Sequence, residues 1–285
     1  MMITEVKQVQ TKDDEKLHCS IVENGSPVWV IVTHGLGEHG GRHSYFNELF
    51  AQYFNICTWD LRGHGKSSGK RGYVENFSSF TDDLGELISY LKKEFKMERY
   101  ILFGHSMGAL VTASYMQNKV DKDSYPEKVF LSGPPVAGTG VLGKIFELAP
   151  LTFSKTLASV SSSTPLGGML DIKKLSHDAR VYENYIADDL NVLKPHTRLL
   201  FNILAEAREV FSKPLRINCN LYVAVGTSDV LVNPNAIIKY FSNIEKNAEL
   251  FKMPNGYHEL HNEIEKYKEP YLKFLKDSLL ESIYS

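Results

Sequence analysis

The chain has 285 residues, 43% of them apolar and 23% charged, the make-up of an ordinary globular protein large enough to bury a substantial core. Its 32 basic and 34 acidic side chains leave a net charge of −2, so no basic excess exists to neutralise phosphates, and nucleic acid is excluded as a partner. Cys19, Cys57 and Cys219 are odd in number, far apart and without a CxxC pair, which argues against a disulfide framework and a zinc site.

The first residues show no basic-then-apolar leader pattern, and no apolar run approaches the ~20 residues of a membrane span. A cytoplasmic protein is expected. Residues 3–10 and 16–22 read as two strands joined by the polar turn Thr11-Lys12-Asp13-Asp14-Glu15. Val28-Trp29-Val30-Ile31-Val32 follows, a run apolar on both faces that stops at Thr33-His34-Gly35. Such a run suits a parallel strand buried between helices. Comparable runs recur at 55–59, 100–103, 128–131, 221–225 and 249–253.

Helical stretches lie between these runs. Residues 77–95 place Phe80, Leu84, Leu87, Ile88 and Leu91 at helical spacing, with Asp82, Asp83 and Glu86 near the start. Residues 106–118 and 264–280 are further helices. The alternation predicts an α/β protein with a mostly parallel central sheet flanked by helices.

One interval breaks the rhythm. From Leu131 to Leu221 is 90 positions, whereas a strand–helix–strand unit takes about 30. The excess opens with Gly133, Pro134, Pro135, Gly138, Gly140 and Gly143 and holds a Ser-rich stretch at 159–164. Leu142, Ile145, Phe146 and Ala149 are spaced to share one helix face. Residues 136–200 are therefore read as an inserted cap, or lid, between two parts of one core, 1–135 and 201–285.

The chemistry starts at Gly104-His105-Ser106-Met107-Gly108, which follows a strand and precedes the apolar helical run Ala109-Leu110-Val111. That is the strand–turn–helix setting of a GxSxG nucleophile elbow, with glycines where Cβ atoms would collide with neighbouring backbone. A serine hydroxyl needs a base, and the base needs an orienting acid. Asp229 follows the strand at 221–225, and His258 follows the last strand, so three strand ends in the order 106, 229, 258 can converge. His261 lies within one turn of His258 and is its rival; the position directly after the strand favours His258. Asp60 precedes Ser106 and heads a glycine-rich loop, where a loop-structuring role suits it better. Donors for a developing oxyanion are expected from the backbone N–H of Met107 and, in the loop His34-Gly35-Leu36-Gly37, from that of Leu36.

On these residues the chain resembles the monoacylglycerol lipases and the related lysophospholipases of the α/β-hydrolase fold. The likeness rests on His34-Gly35-Leu36-Gly37-Glu38-His39, on Asp60 to Ser67 with Gly69-Lys70-Arg71-Gly72, on Gly104 to Gly108, and on Tyr257-His258-Glu259-Leu260. It departs from the usual pattern at Ala109, at Asn220 and at Ala187-Asp188-Asp189-Leu190. The resemblance implies a mobile cap roofing a tunnel for one acyl chain, with glycerol near the serine, and ester hydrolysis without cofactor or metal. A small-molecule lipid ester is the expected partner, with transient contact of the cap with a membrane surface. A lysophospholipase, a broad carboxylesterase, an acyltransferase using the same residues, and a ligand-binding protein on a hydrolase scaffold are the alternatives left open.

Overall fold

A computed structural model of the chain describes residues 4–138, 163, 166 and 171–281. Its centre is an eight-stranded sheet in the order β1-β2-β4-β3-β5-β6-β7-β8. The strands are β1 (Thr4–Gln10), β2 (Lys16–Val22), β3 (Val28–Thr33), β4 (Asn55–Trp59), β5 (Arg99–His105), β6 (Lys128–Ser132), β7 (Asn220–Gly226) and β8 (Ala248–Met253). From β4 across to β8 every pairing is parallel, while β1 and β2 join antiparallel at one edge. The mostly parallel sheet expected from the apolar runs is present.

Burial explains which runs became which strands. All six residues of β3 and all five of β4 and β6 are buried, as continuous apolar strands covered on both faces must be. β1 lies at the edge, and of its residues only Val9 is buried. Side chains of the inner strands alternate between two cores. Ile31, Leu102, Val129 and Val223 point into one, against Leu84, Leu87 and Leu91 of α2 (Ser78–Phe95) and Leu110 and Ala113 of α3 (Met107–Asn118). Val30, Val32, Phe103 and Phe130 point into the other, with Phe46 and Phe50 of α1 (Tyr45–Phe50).

The crossover between β6 and β7 contributes two helices among the described residues, α4 (Ala179–Ala187) and α5 (Thr197–Val210). Leu199, Ile203, Ala207 and Val210 of α5 belong to the main core, and the Ser114 hydroxyl of α3 donates to Glu206 Oε1 at 2.5 Å. The boundary drawn at 200–201 from composition falls inside this continuous helix. The strip of Leu142, Ile145, Phe146 and Ala149 lies outside the described residues. The described part of the crossover sits on the core through backbone bonds: Val192 N–H to Gly37 O at 2.9 Å, His196 N–H to Gly72 O at 2.8 Å, and Glu259 N–H to Leu175 O at 2.8 Å.

Two helices complete the layers, α6 (Pro234–Asn243) and α7 (Glu265–Leu280). Tyr271, Leu275 and Leu279 of α7 close the second core. The buried Lys128 at the start of β6 donates to the Ser278 and Leu279 carbonyls at 2.7 and 3.2 Å, placing a cation where the helix C-terminus leaves carbonyls unpaired.

Candidate active site

Chain order fixes where the site can form. β4 lies on one side of β3 and β5 on the other, so the loops leaving β3 and β5 diverge and open a crevice at their C-terminal ends. Ser106 sits in that crevice, between β5 and α3, with φ 52° and ψ −118°. A non-glycine residue held there is strained, and the surroundings over-determine it. Its N–H donates to Ser132 O at 2.8 Å, and its carbonyl accepts from Ala109 and Leu110 at 2.9 and 3.2 Å. The glycines beside it are required by contact: a Cβ on Gly108 would stand 2.3 Å from Thr33 O, and one on Gly104 would stand 2.4 Å from Gly108 O.

Asp229 and His258 meet across the ends of β7 and β8. The His258 Nδ1–H donates to Asp229 Oδ2 at 2.6 Å, and both side chains are buried. Asp229 Oδ1 accepts from the backbone N–H groups of Leu231 and Val232 at 2.8 and 3.1 Å, so the carboxylate cannot turn away. Burial pulls the His258 pKa down, but the charge and hydrogen bond of Asp229 outweigh it, helped by Glu259 and Glu38, and the pKa lies above its ordinary value. An ionised carboxylate only accepts, so the Nδ1 proton is fixed and Nε2 is left as the basic nitrogen.

The rival histidine has a different setting. Both ring nitrogens of buried His261 lack a hydrogen-bond partner among the described residues. Its ring stacks on Tyr45 and faces His43 and His105, with centroids 5.0 to 5.1 Å away. Burial holds its pKa well below the ordinary value. Asp60 is occupied with structure: Oδ1 accepts from Gly40 N–H and Oδ2 from Lys66 N–H, each at 2.7 Å.

The loop after β3 brings backbone donors to the same crevice. His34 Nε2 accepts from Leu61 N–H at 2.9 Å and Nδ1 donates to Gly35 O at 2.8 Å, which fixes a neutral ring. The Gly35 N–H is taken by Glu38 Oε1 at 2.5 Å. The N–H groups of Leu36 and Met107 make no hydrogen bond among the described residues, and both residues line the cavity beside Ser106. Two unpaired backbone donors thus lie on the lining of the cavity that holds Ser106.

That cavity has an empty volume of about 1160 Å3, part of it open to solvent. Its walls are apolar: Leu166, Ile172 and Leu175 from the crossover, Leu200, Ile203, Leu204 and Ala207 from α5, and Leu231 and Val232 after β7. His105, Ser106, His258, Glu38, Glu259 and Tyr185 supply the polar part. Among the described residues no cluster of His, Cys, Asp or Glu could hold a metal ion, and no helix is long and apolar enough to cross a membrane.

Residues 27–265 match the serine aminopeptidase, S33 description of a hydrolase family. The chain belongs to that family. Proteins similar to this chain include some named monoacylglycerol lipase. A monoacylglycerol lipase of Mycolicibacterium smegmatis is 31% identical over 166 residues, 56% of this chain and 55% of that protein. An uncharacterised abhydrolase domain-containing protein of Dictyostelium discoideum is 25% identical over 289 residues, 99% of this chain but 30% of that protein. These matches span about half and about a third of the two curated relatives. The crystal structure of Paleococcus ferrophilus monoacylglycerol lipase superimposes with a TM-score of 0.74 at 25% identity, covering 97% of this chain and 100% of that one. The resemblance read from the motifs therefore stands, and the fold is that of the α/β-hydrolases.

The site also contains residues that motif reading did not single out. Glu38 and Arg42 stand four apart in the loop and helical turn after β3, and Glu259 directly follows His258. Arg42 Nε donates to Glu38 Oε2 at 3.2 Å, and Arg42 Nη2 donates to both oxygens of Glu259 at 2.7 and 2.6 Å. The i,i+4 spacing of Glu38 and Arg42 was a usable signal. Nothing in the sequence marked Tyr185 of α4, whose ring lies 4.9 Å from the Arg42 guanidinium.

Proposed function

We propose that the chain hydrolyses carboxylic esters of monoacyl lipids, with monoacylglycerol cleaved to fatty acid and glycerol. The observation that carries this reading is the buried Asp229–His258 pair, whose histidine shares the lining of a largely apolar cavity with Ser106, a serine held on a strained elbow. Ser106 is the nucleophile, His258 the general base and Asp229 the group that orients it.

The reaction runs in two halves. Ser106 Oγ attacks the ester carbon and gives its proton to His258 Nε2, while the N–H groups of Leu36 and Met107 hold the oxyanion. The carbon–oxygen bond to glycerol then breaks, and His258 returns the proton to the leaving alkoxide. Water attacks the acyl-enzyme by the same route, giving fatty acid and free Ser106.

An aminopeptidase, the activity in the family's description, needs an unpaired anion to receive the substrate's α-ammonium. Among the described residues, the carboxylates lining this cavity are Glu38 and Glu259, and both are already bonded to Arg42. The apolar walls and the monoacylglycerol lipases among the relatives favour the ester reading. The wall formed by the crossover and α5 supports preference for a single acyl chain over triacylglycerol.

Labelling by a fluorophosphonate, abolished in Ser106→Ala, tests the nucleophile. A panel of mono-, di- and triacylglycerols, lysophospholipids and short p-nitrophenyl esters tests the substrate. Fastest turnover on monoacylglycerol supports the proposal, and triolein cleaved as fast as monoolein refutes it. A clear preference for lysophospholipids would move the substrate class and keep the chemistry.

A further inference from the structure

The loop that holds the Leu36 N–H and the loop that holds His258 are separated by more than 200 positions in the chain, yet one side chain bonds to both. On one side Arg42 Nε meets Glu38 Oε2, while the other oxygen of Glu38 accepts from Gly35 N–H, the peptide group directly before Leu36. On the other side Arg42 Nη2 meets both oxygens of Glu259, the residue directly after His258. All three side chains are nearly buried, at 11%, 3% and 2% exposure for Arg42, Glu38 and Glu259.

We propose that Arg42 is a positioning residue for the reaction, fixing the spacing between the oxyanion donor and the general base by bridging Glu38 and Glu259. The inference rests on the assignments of Leu36 and His258 made above.

The chemistry of guanidinium is what the bridge requires. Two carboxylates at different angles need a planar donor fork, which a lysine ammonium does not provide. Tyr185 covers the guanidinium, and burial strengthens each bond while making a lost partner costly. Asn262 Nδ2 donates to Glu259 Oε2 at 2.7 Å, and His43 Nε2 lies 3.2 Å from Glu38 Oε1, so each carboxylate is held from a second side. Arg42 itself is not among the residues lining the cavity, which separates positioning from substrate contact.

The arrangement also sets charge around His258. Facing that ring are Asp229 after β7, His105 at the end of β5 with ring centroids 4.9 Å apart, Glu38 after β3, and Glu259 on its own loop. Glu259 and Glu38 both favour the imidazolium. Removing the charge of Glu259 therefore moves the acidic limb of the rate profile to lower pH.

Kinetics of the full chain on monoolein, from pH 5 to 9, test the bridge. Arg42→Met is expected to lower kcat by roughly ten- to a hundredfold with KM nearly unchanged, because a misplacement of about 1 Å costs that much. Arg42→Lys is expected to recover only part of the loss. Glu259→Gln is expected to lower kcat less and to shift the acidic limb downward. The double variant is expected to lose no more than Arg42→Met alone, since the bridge is cut once. A kcat within twofold of wild type in Arg42→Met, a loss seen only in KM, or losses that multiply independently would overturn the proposal. Should Arg42→Met not fold, Arg42→Lys and Glu259→Gln decide it: unchanged kcat in both, with an unmoved limb, is fatal. Fluorophosphonate labelling of Ser106 in every variant keeps the two readings apart. Loss of labelling in wild type sinks the hydrolase assignment, whereas normal labelling with unaltered variant kinetics sinks only the bridge.

Discussion

His258 Nδ1 and Asp229 Oδ2 lie 2.6 Å apart with both side chains buried, and the second oxygen of Asp229 is tied to two backbone N–H groups. An amide that keeps the two backbone bonds through its oxygen presents an N–H toward Nδ1, and the ring's proton then moves to the wrong nitrogen. Asp229→Asn should fold and lose about 10^4-fold in kcat. Thermal unfolding and steady-state kinetics on one ester check both halves, and a loss below tenfold would remove Asp229 from its role.

The rate should fall on acidification with a midpoint above the ordinary imidazole value of about 6.5. Burial lowers the His258 pKa, Asp229 raises it by more, and only the neutral ring accepts the serine proton. A kcat/KM profile flat from pH 8 down to pH 5 would exclude His258 as base.

Stability should follow a different group of histidines. Burial holds His34, His64, His105 and His261 below their ordinary pKa, His64 at about 3. Unfolded, they take up protons near pH ~6.5, so the unfolded state binds more protons and stability drops as pH falls below that value. His258 acts in the opposite sense: its raised pKa gives a contribution present in full below pH ~6.5 and lost as pH rises through the folded value. His18 and His196 are lowered as well, whereas burial raises Asp83 to about 6 and raises Glu206, which act in the sense of His258. With six groups against three, Tm should decline between pH 7 and pH 5. A Tm that rises over that interval would contradict the burial of these rings.

Gly108→Ala should cost at least about 1–3 kcal/mol, because its Cβ would stand 2.3 Å from Thr33 O and 2.4 Å from His34 O. Backbone on both sides has no side chain to swing aside. Denaturant unfolding of the variant measures this, and wild-type stability would mean the elbow is looser than described.

Leu204→Trp, on the α5 wall of the cavity, should lower kcat/KM for long-chain monoacyl esters more than for acetyl esters. Each displaced methylene contact is worth about 0.8 kcal/mol. Equal losses on both substrates would dissociate the α5 wall from the acyl chain.

Much of the fold was legible because its strands carry their own signal. Val28 to Val32 has no polar residue and no room for a solvent face, so only a doubly covered strand fits it. Ser106, Asp229 and His258 were legible as a set because each lies just past the end of a strand. α6 was missed although Asn233 caps it through Ala236 N–H and Pro234 opens it, a start signal visible in sequence. The Arg42–Glu259 pair was not readable, since it depends on two loops meeting across the whole chain. The same holds for α5: its apolar face packs on α3, so composition alone assigned its start to the cap.

The crossover between β6 and β7 rests on the core through peptide groups: Val192 on Gly37, His196 on Gly72, and Leu175 beneath Glu259. A peptide carbonyl survives any substitution, and a peptide N–H survives all but proline. The cavity wall that the same stretch presents is made of side chains, Ile172, Leu175 and Tyr185 among them. Sequence drift there can repaint the surface a substrate meets while these three backbone bonds go untouched. Descendants of one ancestor could in this way part company in diet without first having to reinvent their architecture.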